Sequence, residues 1–165
     1  MSKIVYKLGD DISTDVIYPG RFMATVLPTE TPLLAFADDA VFNARLKAKQ
    51  LPPGSVLLGG QNFGCGSSRE QAVSCLKGHE LIIVAKSFAR IFLQNAINLG
   101  LRVVSCPTIE ANEGDELAIT TTSIFNQTSG KTFAVLSMPK SRQAIIDAGG
   151  LIPYTRKRVL EIESA

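Results

Sequence analysis

The feature that most constrains the fold is an alternation of three apolar segments with two amphipathic ones in the middle of the chain. Val56–Gly59, Leu81–Ala85 and Leu101–Val104 are short and almost wholly apolar, as strands covered on both faces are. Between them, Ser68–Lys77 and Ser87–Asn98 place apolar residues at helical spacing. This alternation of three strands with two helices predicts a parallel sheet covered by helices, and therefore an α/β fold.

The flanking regions predict further elements. Ile4–Leu8 has the composition of a first strand, and Pro139–Gly150 has proline at the start and glycine past the end of a helix, the last one expected. Glycine turns bound Glu116–Thr122 and Lys131–Leu136, which predict short antiparallel strands. We therefore expect one domain over residues 1–165, with a mostly parallel covered sheet and an antiparallel C-terminal addition.

One more helix is predicted from about residue 39 to Gln50. Asp38 or Asp39 would cap its start. Its apolar face is expected to contain Val41, Ala44 and Ala48, widened by Phe42 and Leu46.

Composition excludes several functional classes. The 165 residues carry a net charge of +2, with lysines and arginines scattered, which is too weak a pattern for nucleic-acid binding. No segment reaches the roughly 18 apolar residues of a membrane span, and the N-terminus lacks the apolar core of a signal peptide. We therefore predict a cytoplasmic protein that binds neither nucleic acid nor membranes.

The three cysteines form no recognisable ligand set. Cys65, Cys75 and Cys106 are odd in number and lack the paired spacing of zinc or iron–sulfur sites. Cys75 falls on the apolar face of its helix and is expected in the core, whereas Cys65 lies in a loop. We predict reduced thiols and no metal bound by this chain.

The loop Gly64–Glu70 carries most of the chemistry. Between a strand and a helix, a glycine-rich turn points main-chain N–H groups at an anion. It lacks a phosphate signature, because Cys65 stands where a P-loop needs lysine and Arg69 where a dinucleotide fingerprint needs glycine. Two interpretations remain. Ser67 or Ser68 caps the helix, with Glu70 or Gln71 completing a capping box, or the Ser-Ser-Arg run holds a carboxylate.

A second candidate region surrounds Arg21. This arginine follows a Pro-Gly turn and is either an exposed loop residue or directed into a cleft. Three upstream carboxylates would cap the local loop or orient Arg21, namely Asp10, Asp11 and Asp15. The segment Phe22–Pro32 has no clear period and predicts a mobile loop of about ten residues, long enough to be functional.

Three motifs in order give the chain a family resemblance. They are Gly9-Asp10-Asp11-Ile12-Ser13-Thr14-Asp15, Asn62-Phe63-Gly64-Cys65-Gly66-Ser67-Ser68-Arg69-Glu70 and Ala85-Lys86-Ser87-Phe88-Ala89-Arg90-Ile91-Phe92. Together they resemble the small subunits of 3-isopropylmalate dehydratase, within the aconitase superfamily. The similarity extends over nearly the whole chain, from about residue 3 to 163.

The resemblance implies a swivelling β/β/α domain that closes over a [4Fe–4S] cluster bound by a separate large subunit. It implies a heterodimer or heterotetramer that isomerises 2-isopropylmalate and 3-isopropylmalate in leucine biosynthesis, by dehydration and rehydration of a hydroxy acid. The same chemistry on dimethylmalate, citramalate or homoaconitate is the alternative. A more distant alternative is that the chain is a non-catalytic anion-binding module.

The resemblance also implies roles for individual residues. Ser67 corresponds to the base that removes the proton next to a carboxylate, while Ser68 and Arg69 correspond to carboxylate-binding residues. Arg21 is expected to bind substrate as well.

Substrate choice is expected to depend on the loop after Arg21. The residues concerned are Phe22, Met23, Ala24 and Thr25. Ala24 corresponds to an arginine that homoaconitase-type members use to pair with a distal carboxylate. Because this arginine is absent here, we expect a substrate with an apolar branch.

Overall fold

The computed structural model describes residues 1–163, which contain seven strands and six α-helices. In chain order they are β1 (Ser2–Lys7), α1 (Thr14–Ile17), α2 (Ala40–Lys47), β2 (Val56–Gly59), α3 (Glu70–Gly78), β3 (Ile82–Ala85), α4 (Arg90–Leu99), β4 (Val103–Ser105), β5 (Glu116–Ile119), β6 (Ser123–Asn126), β7 (Lys131–Ala134), α5 (Lys140–Asp147) and α6 (Leu151–Glu163). The single domain predicted over residues 1–165 extends two residues beyond the described part.

The strands form one sheet in the order β4-β3-β2-β1-β5-β6-β7. β1 to β4 are parallel; in this half Val56 pairs with Ile4 on one side and Ile82 on the other. β5 to β7 are antiparallel to their neighbours. The mixed α/β fold, with a parallel part followed by an antiparallel addition, is therefore confirmed.

The sheet curls until its two edges meet. Ser105, at the end of edge strand β4, pairs antiparallel with Leu136, just beyond the opposite edge strand β7. The Leu136 N–H donates to the Ser105 carbonyl at 2.9 Å. Contact between the edges covers backbone groups that an open sheet would expose.

The alternation of side chains along the strands divides the core into two clusters. Leu57 and Ile83 face α3 and α4 and belong to a cluster that includes Phe92. Val56 and Leu58 point to the other side and belong to a second cluster with side chains of β5 to β7. The helices thus cover one face of the parallel half, while the curled sheet covers the other.

Three elements were absent from the sequence predictions, and the short helix α1 is the first of them. β6 separates the two expected antiparallel strands. The helix ending near Gly149 is not the last, because α6 follows it directly. Pro153 is compatible with α6 because it lies in the first turn, where its missing N–H has no helical partner. No helix within residues 1–163 has the length and apolarity that crossing a membrane requires.

The predicted apolar face of α2 is partly wrong. Asp39 caps the helix as expected, accepting a hydrogen bond from the Phe42 N–H at 2.9 Å. However, Val41 is 75% exposed, and the buried residues are Phe42, Asn43 and Leu46. The larger side chains, rather than the valine–alanine stripe, pack toward the sheet.

Candidate active site

Three segments that are distant in the sequence meet beyond the end of β2. The Gly64 N–H donates to the Ile12 carbonyl at 2.7 Å. The side-chain amide of Asn62 donates to the Asp11 carboxylate at 2.8 Å, and the Asn62 N–H donates to the Ser87 hydroxyl at 2.8 Å. The three motifs that carry the family resemblance therefore form one structural unit.

Gly64 is closely packed within this unit. Its φ is +81°, and a Cβ there would lie 2.2 Å from Cγ of Phe92. Substituting Gly64→Ala should lower the free energy of unfolding by about 3 kcal/mol, through backbone strain and overpacking. Urea denaturation checks this, with Gly130→Ala as control, since Gly130 has a φ of +72° but nothing within 4 Å of its Cβ position. Equal losses in the two variants would contradict the packing argument.

The serines of the loop do not cap α3. The N-cap residue is Arg69, and no side chain accepts a capping hydrogen bond there, so the capping interpretation is wrong. Both serines are exposed, while their main chain is held. Thr14 Oγ1 donates to the Ser67 carbonyl at 3.0 Å, and Asn95 Nδ2 donates to the Ser68 carbonyl at 3.3 Å. The loop is therefore fixed through its backbone, with two hydroxyl groups facing outward.

Arg69 is held beside these hydroxyl groups. Its side chain is only 13% exposed and forms an ion pair with Asp15. Its Nη1 also donates to the Tyr18 carbonyl at 3.3 Å. Gly20 packs against it so closely that a Cβ would lie 3.1 Å from Nη2 of Arg69. A mostly buried guanidinium that is held in place but still lines a cleft is suited to bind a carboxylate.

The partner of Asp15 is therefore Arg69 rather than Arg21, and the suggestion that Asp15 orients Arg21 is wrong. The Arg69 guanidinium holds the pKa of the Asp15 carboxyl below its usual range. Arg21 instead pairs with Asp38, is 54% exposed and lies 4.6 Å from the centre of the Phe22 ring. Its substrate-binding role stays a prediction.

A cleft of about 410 Å³ opens beside the Ser-Ser-Arg run. On one side it is lined by Ser67, Ser68 and Arg69, and on the other by Met23 and neighbouring apolar residues of the same loop. The structure thus brings together the predicted base, the predicted carboxylate-binding residues and one predicted specificity residue. Phe22, Ala24 and Thr25 do not line this cleft.

A larger cavity, of about 490 Å³, lies elsewhere, at the end of the parallel strands. Two of its lysines already have partners, since Lys7 donates to Asn112 at 3.0 Å and Lys131 pairs with Glu110 at 3.2 Å. It shares no residue with the cleft beside Arg69, which holds the predicted chemistry.

Comparison with known proteins now identifies the family. The Aconitase C-terminal domain family matches residues 12–108. The 3-isopropylmalate dehydratase small subunit of Methanosarcina mazei is 43% identical over 161 residues, covering 94% of this chain and 96% of the relative. The isopropylmalate/citramalate isomerase small subunit of Methanocaldococcus jannaschii is 40% identical over 163 residues, covering 95% and 94%. The chain belongs to the 3-isopropylmalate dehydratase small-subunit family.

A solved structure supports the same conclusion. The crystal structure of a 3-isopropylmalate dehydratase from Methanocaldococcus jannaschii matches with a TM-score of 0.88 and 38% sequence identity. The match covers 98% of this chain and 96% of that one. The curled sheet and its helices are therefore the fold of this dehydratase family.

The cysteines of this family member are separated in the structure. Cys75 lies in one core cluster, where burial raises the pKa of its thiol, and Cys106 lies in the other. Cys65 is partly exposed in the loop, 3.3 Å from the Asp11 carbonyl. Among residues 1–163, no group of three His, Cys, Asp or Glu side chains is arranged to hold a metal ion. The residues described here therefore do not fit an iron–sulfur cluster.

The residues that hold Arg69 in place have no recognisable signal in the sequence. Only the structure shows that Asp15 forms an ion pair with Arg69 and that the Tyr18 carbonyl accepts a hydrogen bond from Arg69. Tyr18 lies in an apolar run that predicts nothing but burial. Asp15 belongs to the first of the three motifs, but nothing in the sequence indicates that it lies beside Arg69.

Proposed function

We propose that this chain is the small subunit of a hydro-lyase that isomerises 2-isopropylmalate and 3-isopropylmalate in leucine biosynthesis. The observation that carries the proposal is the cleft in which the fixed Arg69 guanidinium and two exposed hydroxyl groups face an apolar loop. A cation with hydroxyl groups suits a carboxylate, and an apolar wall suits an alkyl branch. An alkyl-substituted malate carries both groups.

Each residue of the run has a proposed role. Ser67 removes the proton next to a carboxylate and returns one during rehydration. Ser68 and Arg69 hold the carboxylate, so that the proton and the departing hydroxyl group are correctly oriented. Arg21 is proposed to bind substrate from the adjoining turn.

A serine base cannot be activated by this chain alone. Lowering the pKa of a hydroxyl group by about six units costs about 8 kcal/mol. The N-terminus of α3 supplies about 0.3–1 kcal/mol, and about 2 kcal/mol at most. The remainder is assigned to Arg69, to exclusion of water from the closed site and to groups across a subunit interface.

The proposed partner is a large subunit, in a cytoplasmic heterodimer or heterotetramer. We assign the [4Fe–4S] cluster to that subunit, where it would supply Lewis-acid chemistry at the substrate hydroxyl group. The present chain would contribute the base, the carboxylate-binding groups and the apolar wall. Neither nucleic acid nor membrane is a proposed partner.

The residues of the loop after Arg21 favour a substrate with an apolar branch. Ala24 replaces the arginine expected of tricarboxylate-specific members, so a distal carboxylate would lose about 1.5–3 kcal/mol of charge-assisted hydrogen bonding. Met23 and Val26 line the cleft instead. Citramalate is the second candidate, because the name of the M. jannaschii relative includes it beside isopropylmalate.

The experiment is an assay of the chain reconstituted with the large subunit, under anaerobic conditions. kcat/KM is measured for 2-isopropylmalate, 2,3-dimethylmalate, citramalate and homocitrate. We expect the highest value for 2-isopropylmalate and the lowest for homocitrate. Preference for homocitrate would contradict the proposed apolar wall, and preference for a smaller alkylmalate would retain the reaction but change the substrate.

The Asp15–Arg69 ion pair gives a separate prediction. Asp15→Asn should raise KM about threefold to tenfold, because Arg69 loses the charged partner that orients it. Stability should change little, since Asp15 is 58% exposed. Its pKa is lowered by Arg69, so the ion pair persists at neutral pH and weakens only as the pH falls through that lowered value. Steady-state kinetics and thermal unfolding check both expectations.

The matched control for Asp15→Asn is Glu113→Gln, which removes the carboxylate that pairs with Arg45, away from the cleft. It should leave KM unchanged. An Asp15→Asn variant with the KM of the wild type would show that Arg69 is positioned without its ion pair.

A further inference from the structure

Tyr18 is a completely buried tyrosine that lies beneath the turn formed by residues 22–25. This turn is called the selectivity turn below. It is closed by a hydrogen bond from the Thr25 N–H to the Phe22 carbonyl at 2.9 Å. The Tyr18 hydroxyl group lies 3.2 Å from the same Phe22 carbonyl and 3.1 Å from the Thr25 carbonyl. One phenol therefore contacts both ends of the turn.

The same residue contacts Arg69 through its main chain. The Tyr18 carbonyl accepts the hydrogen bond from Arg69 Nη1 at 3.3 Å. The Tyr18 N–H in turn donates to the Thr14 carbonyl at 2.8 Å and ends α1. Tyr18 thus lies between the guanidinium proposed to bind the carboxylate and the turn beside the proposed alkyl branch. Burial raises the pKa of its phenol, which keeps the hydroxyl group protonated as a donor.

The selectivity turn is held by its carbonyl groups. Besides the two contacts of Tyr18, Gln71 Nε2 donates to the Met23 carbonyl at 3.5 Å, from the helix that follows Arg69. These contacts involve the main chain of the turn and not the side chains of Met23 and Ala24. The path of the backbone can therefore stay constant while these side chains differ.

We infer that Tyr18 is a positioning residue that fixes the selectivity turn relative to Arg69, and so sets which alkyl branch the cleft accepts. This inference rests on the proposed function. Met23, in the middle of the turn, lines the cleft, so a displaced turn moves one wall of the site. Ser67 and the carbonyl of Tyr18 are unaffected by loss of the phenol hydroxyl group.

The test is Tyr18→Phe in the reconstituted complex, with Tyr6→Phe as the matched control. Tyr6 also uses its hydroxyl group, to bind Asp39, but it lies outside the cleft. For Tyr18→Phe, the ratio of kcat/KM for 2-isopropylmalate to that for citramalate should fall about fivefold, the effect of one neutral hydrogen bond. We expect it mainly as a higher KM for 2-isopropylmalate, with kcat within about twofold of wild type. An unchanged ratio, or the same change in Tyr6→Phe, would overturn the inference.

Amide hydrogen exchange in the isolated chain tests the positioning role without activity. The amide of Thr25, which closes the turn, should exchange about fivefold faster in Tyr18→Phe and at the wild-type rate in Tyr6→Phe. Unchanged exchange in Tyr18→Phe would show that the phenol does not hold the turn. If the wild-type complex converts no alkylmalate, the proposed function fails, and the exchange rates still decide the role of Tyr18.

Discussion

Replacing Ser67 with alanine should reduce kcat of the reconstituted complex about 10²–10⁴-fold, the range expected for loss of a proton-transferring group. The substitution should affect the reaction rather than the stability of the fold, because Ser67 is exposed and does not cap α3. The free energy of unfolding should stay within about 0.5 kcal/mol of wild type. Turnover of 2-isopropylmalate and urea denaturation, measured on the same preparation, separate the two effects.

The control for Ser67→Ala is Ser141→Ala, another exposed serine, in the first turn of α5. It should leave both kcat and stability unchanged. If Ser67→Ala retains wild-type kcat, Ser67 is not the base. A large loss of stability would indicate that the hydroxyl group has a structural role not visible in its contacts.

The second large effect is expected from Arg69→Lys. Lysine keeps the charge but cannot form the planar, two-pronged contact of a guanidinium with a carboxylate. We expect kcat/KM to fall about 10–100-fold, a loss of about 1.5–3 kcal/mol, with a higher KM. The ion pair with Asp15 and the contact with the Tyr18 carbonyl are also perturbed, which adds to the loss.

Steady-state kinetics with 2-isopropylmalate check this expectation, and Arg142→Lys on the exposed surface of α5 is the control. Unchanged kcat and KM in Arg69→Lys would remove Arg69 from the substrate-binding site. A loss in kcat alone would indicate that Arg69 acts on the transition state rather than on substrate binding.

Much of the fold could be predicted because local sequence patterns determine the strands and helices of its central part. The parallel strands are continuous apolar runs, and α4 ends at Gly100, a glycine with a φ of +73°. The exceptions are places where tertiary contacts decide. β6 is short and half polar, so its pairing with two neighbours, rather than its composition, makes it a strand. The buried face of α2 depends on which side chains fit against the sheet.

The sequence indicates the candidate residues of the site but not the contacts that hold them in place. The Ser-Ser-Arg run and the loop after Arg21 are visible in the sequence, and Met23 does line the cleft with Arg69. The capping interpretation of Ser67 could be rejected only from the backbone, because α3 begins at Glu70, two residues after the predicted start at Ser68. The Asp15–Arg69 ion pair joins two elements whose proximity only the fold determines.

The proposed function requires this chain to complete the active site of an iron–sulfur hydro-lyase. The most direct measurement is an anaerobic pull-down of the chain from the cells that produce it, followed by an assay of the purified material with 2-isopropylmalate, citramalate and homocitrate. We expect a brown iron–sulfur subunit to co-purify with the chain, and the purified complex to isomerise 2-isopropylmalate. Recovery of the chain without an iron–sulfur partner and without turnover would contradict the proposed function, and would favour a non-catalytic anion-binding module.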